Sequence, residues 1–248
     1  MNVNDVMEHF NLEGVVQEYV GAADRIGLWK SEEAVFTKVF NKNQRLLELG
    51  CGAGRIALGL AARGYGHITG VDFAINMIIE AERLRQKKGL EARFRAGDAR
   101  DLKEFKNKEF DGVIFGFNGL MQIPKKQERE VVMREAYRVL APGGYFVFTT
   151  HDRNNPRWKL FWIEETKRWY KGKQSGLLYN FGDIFTDTPY GKVYLHIPDD
   201  AEIRDVAERV GFKIESNQWR SEIARERRDV LEMSEECRFW VLQKPIWI

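Results

Sequence analysis

At 248 residues, with 44% hydrophobic and 31% charged side chains, the chain is long enough for one large domain with an insertion and too apolar for a disordered polyelectrolyte. Its 39 Lys and Arg against 37 Asp and Glu leave a net charge of +2, which argues against a dedicated nucleic-acid or anionic-membrane binder. Two cysteines are too few for a disulfide framework or a zinc cluster, the start lacks the pattern of a signal peptide, and no apolar run approaches the roughly 18 to 20 residues of a membrane span. The expectation is a cytoplasmic protein with no metal and no membrane partner.

Residues 1–40 read as helical: Phe10, Leu12, Val15, Val16, Tyr19 and Val20 recur at helical spacing, and Ser31-Glu-Glu-Ala resembles a capping box opening a second helix through 40. The apolar run 45–50 predicts a buried strand, followed by a helix over 55–62, a strand over 67–72, a helix over 76–88 and a strand over 92–98. Residues 110–117, almost wholly apolar, predict a central parallel strand. A helix over 126–140 is stopped by Ala-Pro-Gly-Gly at 141–144, and 145–150 reads as a fifth strand. After an interruption the pattern resumes with a helix at 199–210, a strand at 213–218, a charged loop and a last strand at 238–243. The expected fold class is α/β, an open, doubly wound, mostly parallel sheet.

Residues 151–197 form the interruption. A helix over 157–170 places Trp158, Phe161, Trp162 and Trp169 on one face, and 177–187 with 192–197 reads as a hairpin. Ten aromatics fall within 152–197, about 22% against 12% for the whole chain, so this segment is expected to wall a dry pocket. It leaves from the end of the fifth strand, at the sheet edge where open α/β folds bind ligands. The chain therefore divides into an N-terminal helical lid over 1–40, a ligand-binding domain over 41–150 and 198–248, and an inserted substrate lid over 151–197.

The densest chemical signal is Glu48-Leu-Gly50-Cys51-Gly52-Ala-Gly54-Arg55, between a strand and a helix. Glycine adopts the positive φ of such a turn, and the following helix offers free N–H groups to a ligand lying on bare backbone. A dinucleotide fingerprint needs glycine where Arg55 stands. Glu48 suits a ligand with an amino or sulfonium cation rather than a pyrophosphate. Asp72 ends the second strand, where a carboxylate can take both hydroxyls of a ribose; Phe73 beside it can lie on an adenine, and Asp98 at the end of the third strand can accept from an exocyclic amine.

In this combination the sequence resembles the class I S-adenosylmethionine-dependent methyltransferases over about 46–150. Leu46-Leu-Glu-Leu-Gly-Cys-Gly-Ala-Gly-Arg55 is similar to the first motif of that family, Gly70-Val-Asp72 to the second and Gly97-Asp98-Ala99 to the third. Phe110-Asp-Gly-Val-Ile114 is similar to the fourth, and Arg138-Val-Leu-Ala-Pro-Gly-Gly-Tyr145 to the segment entering the fifth strand. The resemblance implies a seven-stranded Rossmann-like sheet with an antiparallel edge hairpin, S-adenosylmethionine as methyl donor and S-adenosylhomocysteine as product. It implies that Gly50, Gly52 and Gly54 border the methionine part, with Cys51 and Arg55 in the same loop, and that Glu48 helps hold it. Asp72 is then the ribose ligand, Phe73 and Met77 flank the adenine, and Asp98 with Ala99 reads its amine. Phe115 and Asn118, at the end of the fourth strand, are further expected cofactor contacts, and Trp29 is expected to close over the methionine end.

Methyl transfer from a sulfonium is an in-line displacement, so an enzyme of this kind needs a dry, orienting pocket, and a base where the acceptor is protonated. The candidate bases are His151, directly after the fifth strand, and His196 in the insertion; Tyr194, Asp183 and Arg153 are expected to orient the acceptor. The stretch Phe115-Gly-Phe-Asn118-Gly lacks the Pro-Pro-Tyr/Phe type motif of DNA amino-methyltransferases, against a base-amine substrate. The expected function is methyl transfer to a small-molecule acceptor. The alternatives are an RNA (tRNA) methyltransferase, supported by seven cations against three carboxylates over 151–173, and a non-catalytic S-adenosylmethionine-binding regulator. The nucleophilic atom and the oligomeric state stay open.

Overall fold

The structure, a computed structural model, describes residues 3–246. It begins with α1 (Val3–Phe10), α2 (Glu13–Gly21), a π-helical turn at Ala22–Ile26 and α3 (Lys30–Val39). Strands and helices then alternate as β1 (Leu46–Leu49), α4 (Arg55–Ala61), β2 (Ile68–Asp72), α5 (Ile75–Lys88), β3 (Arg93–Ala96), β4 (Phe110–Phe115), α6 (Lys126–Val139) and β5 (Leu140–Thr150). The insertion supplies α7 (Lys159–Tyr170), β6 (Asp183–Thr188) and β7 (Gly191–His196). Next come α8 (Asp200–Val210), β8 (Lys213–Trp219), two short helices, α9 (Arg220–Ile223) and α10 (Arg228–Met233), and β9 (Arg238–Gln243).

Seven strands make one sheet in the order β3-β2-β1-β4-β5-β9-β8, while β6 and β7 pair apart from it. The first five run parallel, and β9 is antiparallel to both β5 and β8, which gives the edge hairpin. Alternation along β1 shows how the sheet acquires two cores. Leu47 and Leu49 pack with Val132, Met133 and Ala136 of α6 and Ile203 and Ala207 of α8, whereas Leu46 packs with Ile56 and Leu60 of α4 and Ile78 and Ala81 of α5. Burial on both faces is why the central strands read as unbroken apolar runs. Strand order reverses between β1 and β4, and a crevice opens beyond their carboxyl ends.

Among the boundaries that differ from the sequence expectation, three have a tertiary reason. Helix α3 starts one residue before Ser31: Glu32 accepts from the Trp29 N–H at 2.9 Å, and the distant Glu226 accepts from the N–H groups of Lys30 and Ser31 at 3.1 and 2.7 Å. A carboxylate from another part of the chain does the capping, and the Ser31 hydroxyl is buried without a partner. Strand β5 begins at Leu140 rather than at 145, because Gly143 and Gly144 stay paired with Lys244 (2.8 and 2.9 Å), with an irregular register against β4 between Phe110 and Gly112. The hairpin begins at Asp183 rather than at 177, since the Asp183 carboxylate accepts from the N–H groups of Tyr179 and Asn180, both at 2.7 Å, and fixes a turn there. No described helix is long and apolar enough to cross a membrane.

Candidate active site

A cavity of about 440 Å³ lies at the carboxyl ends of β1, β2 and β4, within the size range of small-molecule and cofactor sites. Its base is the glycine loop. Gly50, Gly52 and Gly54 have φ of 59°, 52° and 83°, the left-handed region, and a Cβ on Gly50 would stand 2.6 Å from the Phe115 ring. The Cys51 N–H donates to Val71 at 3.0 Å and the Gly52 N–H to the Asp72 carboxylate at 2.8 Å, so the loop is tied to the end of β2. The Asp72 carboxylate also accepts from the Ala74 N–H at 2.8 Å and thereby sets the start of α5.

Two carboxylates on this wall are held against their preference. Burial pushes Glu48 up to about 8, despite the opposing field of Arg55 and its one hydrogen bond, from the Ala57 N–H at 2.8 Å. Burial likewise raises Asp72 to about 6, although backbone N–H groups of Ala74, Gly52 and Phe73 favour its anion. Both groups line the cavity, and a cationic ligand would return them to the ionised form.

Arg55 is occupied elsewhere. Its guanidinium makes two hydrogen bonds of 2.6 Å with Glu32, donates to the Gly27 carbonyl at 3.0 Å and stacks on Trp29 at 4.7 Å, fastening α3 to the loop. Trp29 itself is 1% exposed and does not line the cavity; it is held by Arg55 on one contact and Arg220, at 5.5 Å, on another. The expected closure by Trp29 is thus corrected to a core anchor. Phe117, edge-on to Trp29 at 5.7 Å, faces the cavity instead. Phe73, Phe10, Tyr19 and Phe117 form a chain of ring contacts of 5.9–6.2 Å over the site, so the aromatic wall comes from α1, α2 and the strand ends.

At the end of β4, Phe117 and Asn118 adopt φ of 48° and 59°, uncommon for non-glycine residues and here adjacent. The Asn118 N–H is held by Thr149 Oγ1 at 2.9 Å, and the side chain reaches His151, with Nδ2 3.4 Å from Nε2. His151 Nδ1 lies 2.9 Å from the Glu236 carbonyl, which can only accept, so Nδ1 carries the proton and Nε2 the lone pair. Burial lowers the pKa of this histidine, opposed by the Glu236 hydrogen bond. Its ring is therefore a neutral base on the cavity wall.

His196 is placed differently. It is 1% exposed, off the cavity, with Nδ1 2.7 Å from Asp183 and Nε2 2.7 Å from Glu202. Tyr194 donates to Asp183 at 2.6 Å, and Arg153 donates to the Ile197 carbonyl, Asp199 and Glu202. Burial raises both carboxyls, but the His196 and Tyr194 hydrogen bonds outweigh it at Asp183, and His196 with Arg153 and Arg129 brings Glu202 down to about 2. His196, Tyr194, Asp183 and Arg153 lock the hairpin to α8; none touches the cavity, which corrects their expected place beside an acceptor. The aromatics of the insertion are corrected likewise. Trp158, Phe161, Trp162, Phe181 and Trp169 contact one another at 5.0–6.4 Å, and of the ten only Tyr190 lines the cavity, with Thr186, Thr188, Val193 and Leu195 of the hairpin.

Of the expected residues, the structure gathers Glu48, Gly50, Cys51, Gly52, Arg55, Asp72, Phe73, Met77, Asp98, Ala99, Phe115, Asn118 and His151 around one cavity. Gly54 lies behind it as the left-handed cap of α4, where Phe94 would meet a Cβ at 2.8 Å. Asp98 is engaged by Arg100, with Nη2 at 2.6 Å. Tyr19, hydrogen-bonded to Gln122 and facing Gly52, was legible only as a helical apolar position, and Phe117 only as part of a strand end.

A doubly wound sheet with a left-handed glycine loop and carboxylates at the next strand ends defines the nucleoside-cofactor class of α/β proteins. Within that class, residues 46–144, less than half of the chain, match the family described as a methyltransferase domain. A protein of Leptospira interrogans named demethylmenaquinone methyltransferase is 37% identical over 111 residues, 44% of this chain and 43% of that protein. One of the same name from Thermus thermophilus is 40% identical over 107 residues, 42% of this chain and 46% of that protein. The matched region thus spans less than half the length of these curated relatives. A solved S-adenosylmethionine-dependent methyltransferase of Methanosarcina mazei superposes with a TM-score of 0.69 at 23% identity, over 86% of this chain and 98% of that one, a likeness of fold.

Proposed function

We propose that the protein is an S-adenosylmethionine-dependent methyltransferase acting on a small-molecule acceptor. The observation that carries this reading is the meeting, on one cavity wall, of a left-handed glycine loop with two buried carboxylates whose pKa values burial has raised. Such groups fit a ligand that brings an ammonium, a sulfonium and ribose hydroxyls. Glu48 and the loop Gly50–Gly52 hold the methionine end, Asp72 the ribose, and Phe73 and Met77 the adenine, with Asp98 and Ala99 at its amine and Phe115 and Asn118 as the floor. When bound, the cofactor supplies a methyl group on positively charged sulfur.

The chain's own work is to hold the acceptor, exclude water and receive a proton. Residues 1–40 and 151–197 act as lids over a cofactor domain formed by 41–150 and 198–248. His151 Nε2 takes the proton that the acceptor's nucleophilic atom loses as it bonds to the methyl carbon. The Glu236 carbonyl fixes the tautomer that permits this, and the lowered pKa leaves the base free at neutral pH. The name shared by the relatives supports a small molecule over an RNA acceptor.

The test is release of S-adenosylhomocysteine from S-adenosylmethionine with a panel of hydroxylated and aminated small molecules, and with bulk tRNA. Acceptor-dependent release with a small molecule is expected, and His151→Ala should lower kcat by about a hundredfold or more. Release with tRNA alone, or cofactor binding with no release on any acceptor, contradicts the reading.

A further inference from the structure

We propose that the outer face of residues 157–177 is a docking surface for an anionic lipid bilayer. Helix α7 turns Trp162, Glu165 and Trp169 inward, and its opposite side carries Leu160, 79% exposed, and Ile163, 42% exposed, one turn apart. Tyr170 at 93% and Leu177 at 54% extend the apolar surface past the helix end. With Trp158 and Phe161, six of the fourteen exposed large apolar side chains among the described residues fall within residues 158–177. A soluble surface has no use for that concentration unless something covers it.

The charge on the same face says what covers it. Arg157, Lys159, Lys167, Arg168, Lys171 and Lys173 are all exposed, against two carboxylates in the segment. Glu164 is paired with Lys167 at 2.7 Å and Glu165 with Arg168 at 3.1 Å. The other four cations make no ion pair among the described residues. A second copy of the chain laid on this face would set like charges against each other. Single-stranded RNA would meet the cations but leave the aliphatic side chains uncovered. An anionic bilayer satisfies both: the cations meet headgroups while leucine and isoleucine enter the acyl boundary. Twelve residues of α7 are about 18 Å long, too short to span, so the helix lies in the plane of the surface. The sequence expectation of no membrane partner rested on the absence of a span and on the near-balanced charge of the whole chain; neither describes a local basic and apolar face such as this one.

The surface adjoins the cavity. Trp158 Nε1 donates to Glu235 at 3.1 Å, and Glu235 lines the cavity; behind α7, Trp162 packs in one cluster with Leu195, which lines it too. Amphiphilic acceptors in the bilayer would thus be presented beside the mouth. That consequence rests on the methyl-transfer reading, and the docking itself does not.

The experiment is co-sedimentation of the full chain with vesicles of phosphatidylcholine alone and of phosphatidylcholine mixed with phosphatidylglycerol. Binding to the mixed vesicles is expected, weakened about tenfold or more by raising salt to about 0.5 M and by the triple change of Lys159, Lys171 and Lys173 to Ser. Leu160→Glu with Ile163→Glu, at exposed positions that leave the fold intact by circular dichroism, should abolish it. No binding to mixed vesicles overturns the proposal. So does binding indifferent to these substitutions, retention on tRNA without retention on vesicles, or a solution dimer that the Leu160→Glu, Ile163→Glu variant splits. S-adenosylhomocysteine affinity of that variant should match the parent chain, so failure here leaves the cofactor site untouched.

Discussion

Glu48 and Asp72 at the sheet edge and Asp183 and Glu202 behind the hairpin are four carboxylates withdrawn from water in two kinds of surroundings. The first pair faces a cavity and has mainly backbone N–H partners, so burial wins and both pKa values rise, to about 8 and about 6. The second pair is met by His196, Tyr194, Arg153 and Arg129, so partners win and both fall. The two histidines sort the same way: His151 Nε2, on the cavity wall, has only the neutral Asn118 amide at 3.4 Å, whereas both nitrogens of His196 are held by carboxylates at 2.7 Å. A polar cluster completed by the fold is structure; one completed only by a ligand is a site.

The largest expected effect breaks the completed cluster. His196→Ala leaves the buried Asp183 and the partly buried Glu202 each short of a partner and should lower stability by about 3–5 kcal/mol in denaturant titration, with S-adenosylhomocysteine affinity of the folded protein unchanged. A loss below about 1 kcal/mol would erase the distinction between the two clusters. Next, Glu48→Gln keeps an oxygen for the Ala57 N–H and removes only charge. Cofactor affinity should fall by about 1.5–3 kcal/mol while stability near neutral pH is kept or increased.

Titration sharpens the contrast, because the signs are opposite. Glu48 and Asp72 have folded values of about 8 and about 6, above the unfolded values of about 4.3 and 3.9, so the folded chain keeps protons the unfolded chain has lost. Their contribution is complete below about pH 4 and is lost as pH rises through the folded values. Glu202, depressed to about 2, contributes above about pH 4.5 and loses its contribution as pH falls toward 2. Melting temperatures of the ligand-free chain should decline between pH 6 and 8, and Glu48→Gln should flatten that decline. The smallest effect concerns Trp29: Trp29→Phe should cost about 1 kcal/mol of stability, seen in the same melts, and leave cofactor affinity within about twofold, since the indole is packed away from the cavity.

The sheet and the strand-end half of the candidate site, the residues that meet at the cavity, were legible because they are local. Strands buried on both faces announce themselves as apolar runs, and Glu48, the glycines, Asp72 and Asp98 each stand at a strand end where the chain must turn. What failed to show was tertiary. Trp29 sits beside the loop in sequence, but its place is fixed by Arg55 and Arg220, the latter from the far end of the chain. His196 carried the same chemical promise as His151 until Glu202, on α8, was brought to its second nitrogen. The aromatics of 151–197 read as a pocket wall because content does not tell direction, and they pack on one another.

The central claim is that the loop from Glu48 to Gly54, with Asp72, is a site for a cationic nucleoside cofactor. Calorimetric titration of S-adenosylmethionine into the full chain, in two buffers of different ionisation enthalpy at about pH 5.5 and about pH 7, tests it directly. The account predicts one site, release of protons on binding and an affinity several-fold tighter at the higher pH, with the pH dependence reduced in Glu48→Gln. No binding, tighter binding of NAD, or an affinity indifferent both to pH and to Glu48→Gln would contradict it.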